Sequence, residues 1–220
     1  MNFINKDFTN LISKVYLTEN ASLILYSLIR SCRPHKILEI GVGYSTLFIA
    51  KAISDIQEET YEYLNNTQLT PNAFDYMGTN YNPQFYSIDN YAAPEAVTNV
   101  IDVLTKEGLN NKIQFLNIDL WDFIKINDEK HDLIWLDVGN GEEYMELFDT
   151  FYDRLESGGL LIMHNTTASL WGNLFLSEIK NKKNNNNFEM INIIEPHKNT
   201  QSSMTVFRKI NNNNIYSVYS

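Results

Sequence analysis

From Lys36 onward the chain alternates short apolar runs with amphipathic stretches, and that rhythm constrains its fold more than any other feature. Residues 36–40 (KILEI) form an apolar run that stops at Gly41, and 45–53 carry a helical face. Residues 84–89 (QFYSID) and 112–119 (KIQFLNID) read as strands that end in an acid, followed by helical patterns over 94–107 and 121–125. The same unit recurs as 131–138 (HDLIWLDV) with a helix over 142–155, and as 158–165 (GGLLIMHN) with a helix over 169–180. Repeated strand–helix units predict a doubly wound α/β sheet with parallel strands and helices on both faces. Two late strands, 188–195 and 203–210, are close enough to be antiparallel neighbours, so the final strand is expected to run against the rest.

Two helices are expected ahead of this pattern. One covers residues 3–16, and the other follows Thr18, a candidate N-cap, and stops at Arg33-Pro34. We therefore divide the chain into an N-terminal helical cap (1–35), a main domain (36–210) and a polar tail (211–220). Its 220 residues suit one α/β domain better than two. Between the first helix and the second strand, residues 54–83 far exceed the two to six residues usual for such a connection. They are acidic at the start and aromatic throughout (Tyr61, Tyr63, Phe74, Tyr76, Tyr81), which suits either a lid or a surface helix with a loop. The Asn-rich stretches 181–187 and 211–214 read as polar loop and tail.

Composition narrows the partners. Seventeen basic against twenty-seven acidic residues give a net charge of −10, which disfavours nucleic acid, because affinity for a phosphate backbone rests on Lys and Arg. A small molecule is the expected substrate, with a homodimer as the protein partner to consider. No run of about 18 apolar residues marks a membrane span, and the first ten residues lack the basic and apolar regions of a signal peptide. A single cysteine, Cys32, allows no internal disulfide and is expected to be a small core residue. A cytoplasmic location is the expectation, with Asn-X-Ser/Thr matches at Asn20, Asn65 and Asn165 taken as chance.

The chemistry centres on the first strand–turn–helix. Glu39 lies near the strand end, Gly41 and Gly43 flank Val42, and Ser45-Thr46 open the helix. Glycine lets a backbone turn tightly and approach a ligand closely, and a helix N-terminus offers free N–H groups. Position 46 is Thr, so the Gly-X-Gly-X-X-Gly dinucleotide fingerprint is incomplete, and no Gly-Lys-Ser/Thr follows to make a P-loop. Taken alone, the glycine pair is compatible with a tight turn and nothing more. The acids ending the next two strands add to it: Asp89 could accept from ribose hydroxyls, and Asp119 from an exocyclic amine of adenine. Each could also simply cap a turn or helix. Ligands of such sheets bind beyond the carboxyl ends of the strands, where all three acids fall.

Taken in order, ILEIGVGYSTLFIA, FYSID, FLNIDLWDF, HDLIWLDV and LESGGLLIMHN resemble the successive motifs of the class I S-adenosylmethionine-dependent methyltransferases. The glycine segment is similar to that of small-molecule O-methyltransferases related to catechol O-methyltransferase. The resemblance implies a Rossmann-like sheet of seven strands in the order 3-2-1-4-5-7-6, strand 7 antiparallel. It also implies that Glu39, Gly41, Gly43 and Ser45 surround the amino-acid end of the cofactor. Asp89 would hold the ribose, and Asp119 with Leu120 and Trp121 would lie by the adenine.

Asp137 and His164-Asn165, at the ends of the fourth and fifth strands, fall beside the transferring methyl in that fold. An imidazole titrates near neutrality and can act as a base, with Asp137 orienting it, binding substrate or acting as base itself. His35, His131 and His197, at turns or strand starts, are expected to be exposed. Catechol-type relatives bind a divalent ion through an acid after the fourth strand and an Asp-Asn pair after the fifth. Here Asp137 and Asn165 match, but His164 replaces the pair's Asp, and Asp137-Val-Gly-Asn140 replaces Asp-Ala-Asp-Lys. Hard ions prefer oxygen, so a divalent metal is not the favoured reading. The leading expectation is methyl transfer to an oxygen or nitrogen of a small metabolite or peptide-like substrate. The alternatives are a cofactor-binding protein that does not methylate and, less favoured, a nicotinamide-dependent dehydrogenase.

Overall fold

A computed structural model describes residues 6–10, 18–65, 80–139, 141–167, 169–182, 188–195 and 202–210. In chain order the helices are α1 (Lys6–Asn10), α2 (Glu19–Cys32), α3 (Tyr44–Asn65), α4 (Pro94–Lys106), α5 (Leu120–Ile126), α6 (Tyr144–Asp153) and α7 (Leu170–Lys182). The strands are β1 (Lys36–Ile40), β2 (Gln84–Asp89), β3 (Gln114–Asn117), β4 (His131–Leu136), β5 (Leu155–His164), β6 (Phe188–Glu195) and β7 (Ser202–Lys209). They form a seven-stranded sheet in the order β3-β2-β1-β4-β5-β7-β6. β4 lies parallel to both β1 and β5, while β7 is antiparallel to β5 and β6, as the strand pattern and the family resemblance predict.

Contacts group the chain into two compact units. One contains the described residues of 1–35, 42–87 and 91–117, with α2 and α3 as its main helices. In α2 the buried positions Ala21, Ser22, Leu25 and Ile29 repeat at helical spacing, the stripe that a surface helix turns inward. Thr18 stands at the N-cap but makes no side-chain cap bond; its carbonyl accepts the first bond of the helix from Ser22 N–H, and a second from the Ser22 hydroxyl. In α3 the run from Tyr44 to Ala50 is entirely buried, and Phe48 meets Phe8 edge-on with ring centroids 5.6 Å apart.

The helix expected over 45–53 continues to Asn65 and takes up the first part of the 54–83 segment. Two of its four acids are shown paired: Asp55 accepts from Tyr26 and Lys51, and Glu59 from Arg30. Tyr61 is exposed, whereas Tyr81 is buried with its hydroxyl donating to the carbonyl of Pro34. Phe74 and Tyr76 lie outside the described residues, as do His197, the 211–220 tail and most of the helix expected over 3–16.

The second unit contains the described residues of 36–41, 88–90 and 118–220. Its core is the solvent-free run Leu133–Leu136 of β4 together with an aromatic cluster. Phe148 of α6 meets Phe175, Phe188 and Phe207 at centroid distances of 6.0, 5.8 and 4.8 Å, joining α6 and α7 to the β6–β7 hairpin. Aromatic pairs like these add about 0.5–1.5 kcal/mol each beyond area burial.

Two expectations are overturned. Cys32 is exposed: it sits on the last turn of α2, just before Arg33 turns the chain through the left-handed region at φ 49°. His131 is buried: it opens β4, as the strand pattern places it, but pairs there with Leu155 of β5. Burial pushes its pKa below the ordinary histidine value, with Glu129 opposing the shift.

Candidate active site

The carboxyl ends of the strands create the site within the second unit. Gly41, directly after β1, has φ +99°, and a Cβ there would stand 2.8 Å from the main-chain oxygen of Asp137. Its N–H donates to the carbonyl of Ile88 at 2.9 Å. Only glycine fits where the turn presses this closely on the chain leaving β4.

Next to it lies a cavity of ≈ 230 Å³, lined by Ile40, Gly41, Ile88, Asp89, Asn90, Ile118, Asp119, Leu120, Trp121, Val138 and Glu143. Whole small-molecule pockets occupy roughly 300–1,000 Å³, so this one suits the flat half of a larger ligand. The isoleucines with Leu120, Trp121 and Val138 offer apolar surface for a ring system, and the carboxylates of Asp89, Asp119 and Glu143 offer acceptors. No basic side chain is among the lining residues, which disfavours a phosphorylated ligand.

Five of the eight residues assigned to the cofactor from sequence therefore share one cavity: Gly41, Asp89, Asp119, Leu120 and Trp121. The other three do not line it. Glu39 is wholly buried within β1, and Ser45 is buried at the start of α3. Gly43 accepts a hydrogen bond from Thr46 N–H and donates its own N–H to Thr46 Oγ1, 2.9 Å away. A Cβ on Gly43 would meet nothing within 4 Å. Asp119 also caps a helix: its Oδ1 accepts from Trp121 N–H at 2.9 Å at the start of α5.

Glu143 is the charged lining residue that sequence reasoning missed. It stands at the N-cap position of α6 without making a side-chain cap bond. The available signal was an acid at a helix start, a position that the helix dipole favours on its own.

Asp137 and His164 come together. His164 Nδ1 lies 2.7 Å from Asp137 Oδ1, with the imidazole 2% and the carboxylate 26% exposed. A carboxylate only accepts, so the ring's Nδ1–H is the donor of this bond. The hydroxyl of Tyr144 donates to the carbonyl of His164 at 3.3 Å. Burial first, and the charge of Asp137 second, push its pKa up to about 12, so it remains a neutral donor at ordinary pH.

The residue after His164 turns sharply, with Asn165 at φ 56°, and strand β7 holds that turn. Asn165 N–H donates to the carbonyl of Ser203, Thr167 N–H to the hydroxyl of Ser203, and the Thr166 hydroxyl meets that of Thr205 at 2.5 Å. As a divalent-ion site the constellation fits poorly. The carboxylate oxygen that faces the ring is committed to it, and among the described residues no group of three or more His, Cys, Asp or Glu could hold a metal.

Comparison with known proteins agrees with this geometry. A family model described as a methyltransferase domain matches residues 38–166, more than half of the chain. No curated protein matches the sequence. Among solved structures the chain is similar to the O-methyltransferase TomG of Streptomyces achromogenes, described as involved in tomaymycin synthesis and in complex with S-adenosylmethionine. That match has 13% identity and a TM-score of 0.67, covering 94% of this chain and 91% of that one. It is also similar to an O-methyltransferase from Bacillus cereus in complex with S-adenosylhomocysteine, at 12% identity, TM-score 0.65 and coverage of 94% and 91%. The methyltransferase PaMTH1 of Podospora anserina, bound to S-adenosylhomocysteine, matches at 14% identity, TM-score 0.62 and coverage of 94% and 89%. At such identities these likenesses speak for the fold.

Proposed function

Because the chain belongs to the methyltransferase family whose domain model covers residues 38–166, we propose that it transfers a methyl group from S-adenosylmethionine to an oxygen or nitrogen of a small molecule. The observation that carries the proposal is the cavity at the strand ends, where Gly41, Asp89, Asp119, Leu120 and Trp121 meet. Those are residue types that hold a nucleoside without phosphate. Asp89 accepts from the ribose hydroxyls, the apolar side chains cover the purine, and Gly41, Gly43, Glu39 and Ser45 belong to the amino-acid end. The cofactor supplies an electrophilic methyl on a sulfonium.

The chain's own residues do the rest. His164 Nε2 takes the proton from the acceptor, and Asp137, 2.7 Å from Nδ1, orients the ring and stabilises the imidazolium once it forms. Positioned proton removal of this kind contributes typically about 10²–10⁴-fold. An oxygen nucleophile is the reading favoured by the neighbours described as O-methyltransferases. Residues 36–210 form the methyltransferase domain in this account.

The test is a labelled-methyl assay with S-adenosylmethionine and a pooled metabolite extract. Label should appear in a small product with the wild type and fall at least a hundredfold with His164→Ala. Cofactor binding without any transfer would instead point to a protein that holds S-adenosylmethionine for another purpose.

A further inference from the structure

We propose that Glu143, and not Asp119, is the hydrogen-bond acceptor for the exocyclic amine of the cofactor's adenine. The inference rests on the reading of the cavity as an S-adenosylmethionine site and adds to it a residue that no motif assigns.

The carboxylates of the cavity have different obligations. Asp89 ends β2, where the ribose is placed. Asp119 has its Oδ1 committed 2.9 Å from Trp121 N–H, the bond that starts α5 and sets the stance of Leu120 and Trp121. Glu143 lines the same cavity and makes no cap bond to α6.

Gly139 has φ +85°, and a Cβ there would stand 3.2 Å from Glu143 Oε2, so glycine leaves the carboxylate its place. Val138, one residue before, presents apolar surface to the same cavity. A purine resting on Val138 and Trp121 has its amine-bearing edge as its polar rim, and an amine with two N–H groups seeks an anionic acceptor. A 6-oxo purine would instead point a carbonyl oxygen at Glu143 and be repelled.

The test compares S-adenosylhomocysteine with S-inosylhomocysteine, which carries oxygen in place of the amine, by isothermal titration of wild type, Glu143→Gln and Asp119→Asn. Wild type should prefer S-adenosylhomocysteine by about tenfold or more, the scale of a hydrogen bond to a charged group. Glu143→Gln should lose most of that preference, because its amide serves either purine, while Asp119→Asn keeps it. Preference retained in Glu143→Gln, or lost only in Asp119→Asn, overturns the assignment. So does a Glu143→Gln protein that weakens S-adenosylmethionine but not S-adenosylhomocysteine, which would place the carboxylate at the sulfonium. A wild type that binds neither homocysteine derivative overturns the cofactor reading itself, so the two failures are distinguishable. Glu143 is exposed, and an unchanged urea midpoint verifies that the variant is folded.

Discussion

The two glycines of the first turn should respond to the same substitution in opposite ways. At Gly41 an alanine Cβ must occupy φ +99° and stand 2.8 Å from a main-chain oxygen, that of Asp137, which no rotamer change can move. Holding a non-glycine residue in such a backbone region costs about 1–3 kcal/mol. Relieving the overlap by backbone displacement costs a similar ~1–3 kcal/mol. Gly41→Ala should therefore lose about 2–6 kcal/mol, a large part of the roughly 5–15 kcal/mol that holds a domain folded. At Gly43 the same methyl meets nothing within 4 Å. Gly43→Ala should leave stability within about 0.5 kcal/mol, as surface substitutions usually do. If the open space at Gly43 is where the ligand approaches, its affinity should fall about tenfold or more, a change of ~1.4 kcal/mol. Urea unfolding and titration with S-adenosylhomocysteine measure both quantities. A Gly41→Ala protein as stable as wild type, or a Gly43→Ala protein with undiminished affinity, refutes the division of labour.

Three further outcomes follow from the site and its surroundings. Asp137→Asn should lower the methyl-transfer rate by about 10²-fold or more while S-adenosylhomocysteine affinity stays within about threefold, because the dyad acts on the acceptor; single-turnover assays and titration separate the two. Tyr144→Phe removes the hydrogen bond to the His164 carbonyl and should cost about 1 kcal/mol in urea unfolding, with no cost if that contact is idle. His131 has its pKa lowered by burial, so the unfolded chain binds more protons between the folded and unfolded values. Its contribution is complete above the ordinary pKa of about 6.5 and shrinks as pH falls below it. Unfolding followed from pH 7.5 to pH 5 should show a shallower loss of stability in His131→Leu than in wild type, and parallel curves would contradict this.

The sheet was legible because strand and helix periods differ and each of the first four strand runs stops at glycine or an acid, which fixes where side chains must converge. Asp89 and Asp119 were found for that reason, as ends of strands, without knowledge of any contact. Asp119 also shows the limit: capping a helix and meeting a ligand call for the same residue at the same place, and only coordinates reveal the bond to Trp121. Glu143 lies five residues beyond Val138 with no motif around it, past two glycines, 139 and 141, that both stand at positive φ. His131 and Cys32 were misread for one physical cause. Burial at the end of an element depends on the neighbour it meets, here Leu155 opposite His131 and a left-handed turn after Cys32. The partnership of Asp137 with His164 joins residues 27 positions apart, and the adjacency of β4 and β5 brings them within 2.7 Å.

The measurement that bears most directly on the account is titration of the full chain with S-adenosylhomocysteine, wild type beside Asp89→Ala. Asp89 ends β2 and lines the cavity, so its loss should remove the ribose contacts and weaken binding about tenfold or more while the urea midpoint holds. Wild-type protein that binds no S-adenosylhomocysteine, or an Asp89→Ala variant that binds it as tightly as wild type, would contradict the claim that this cavity receives the nucleoside.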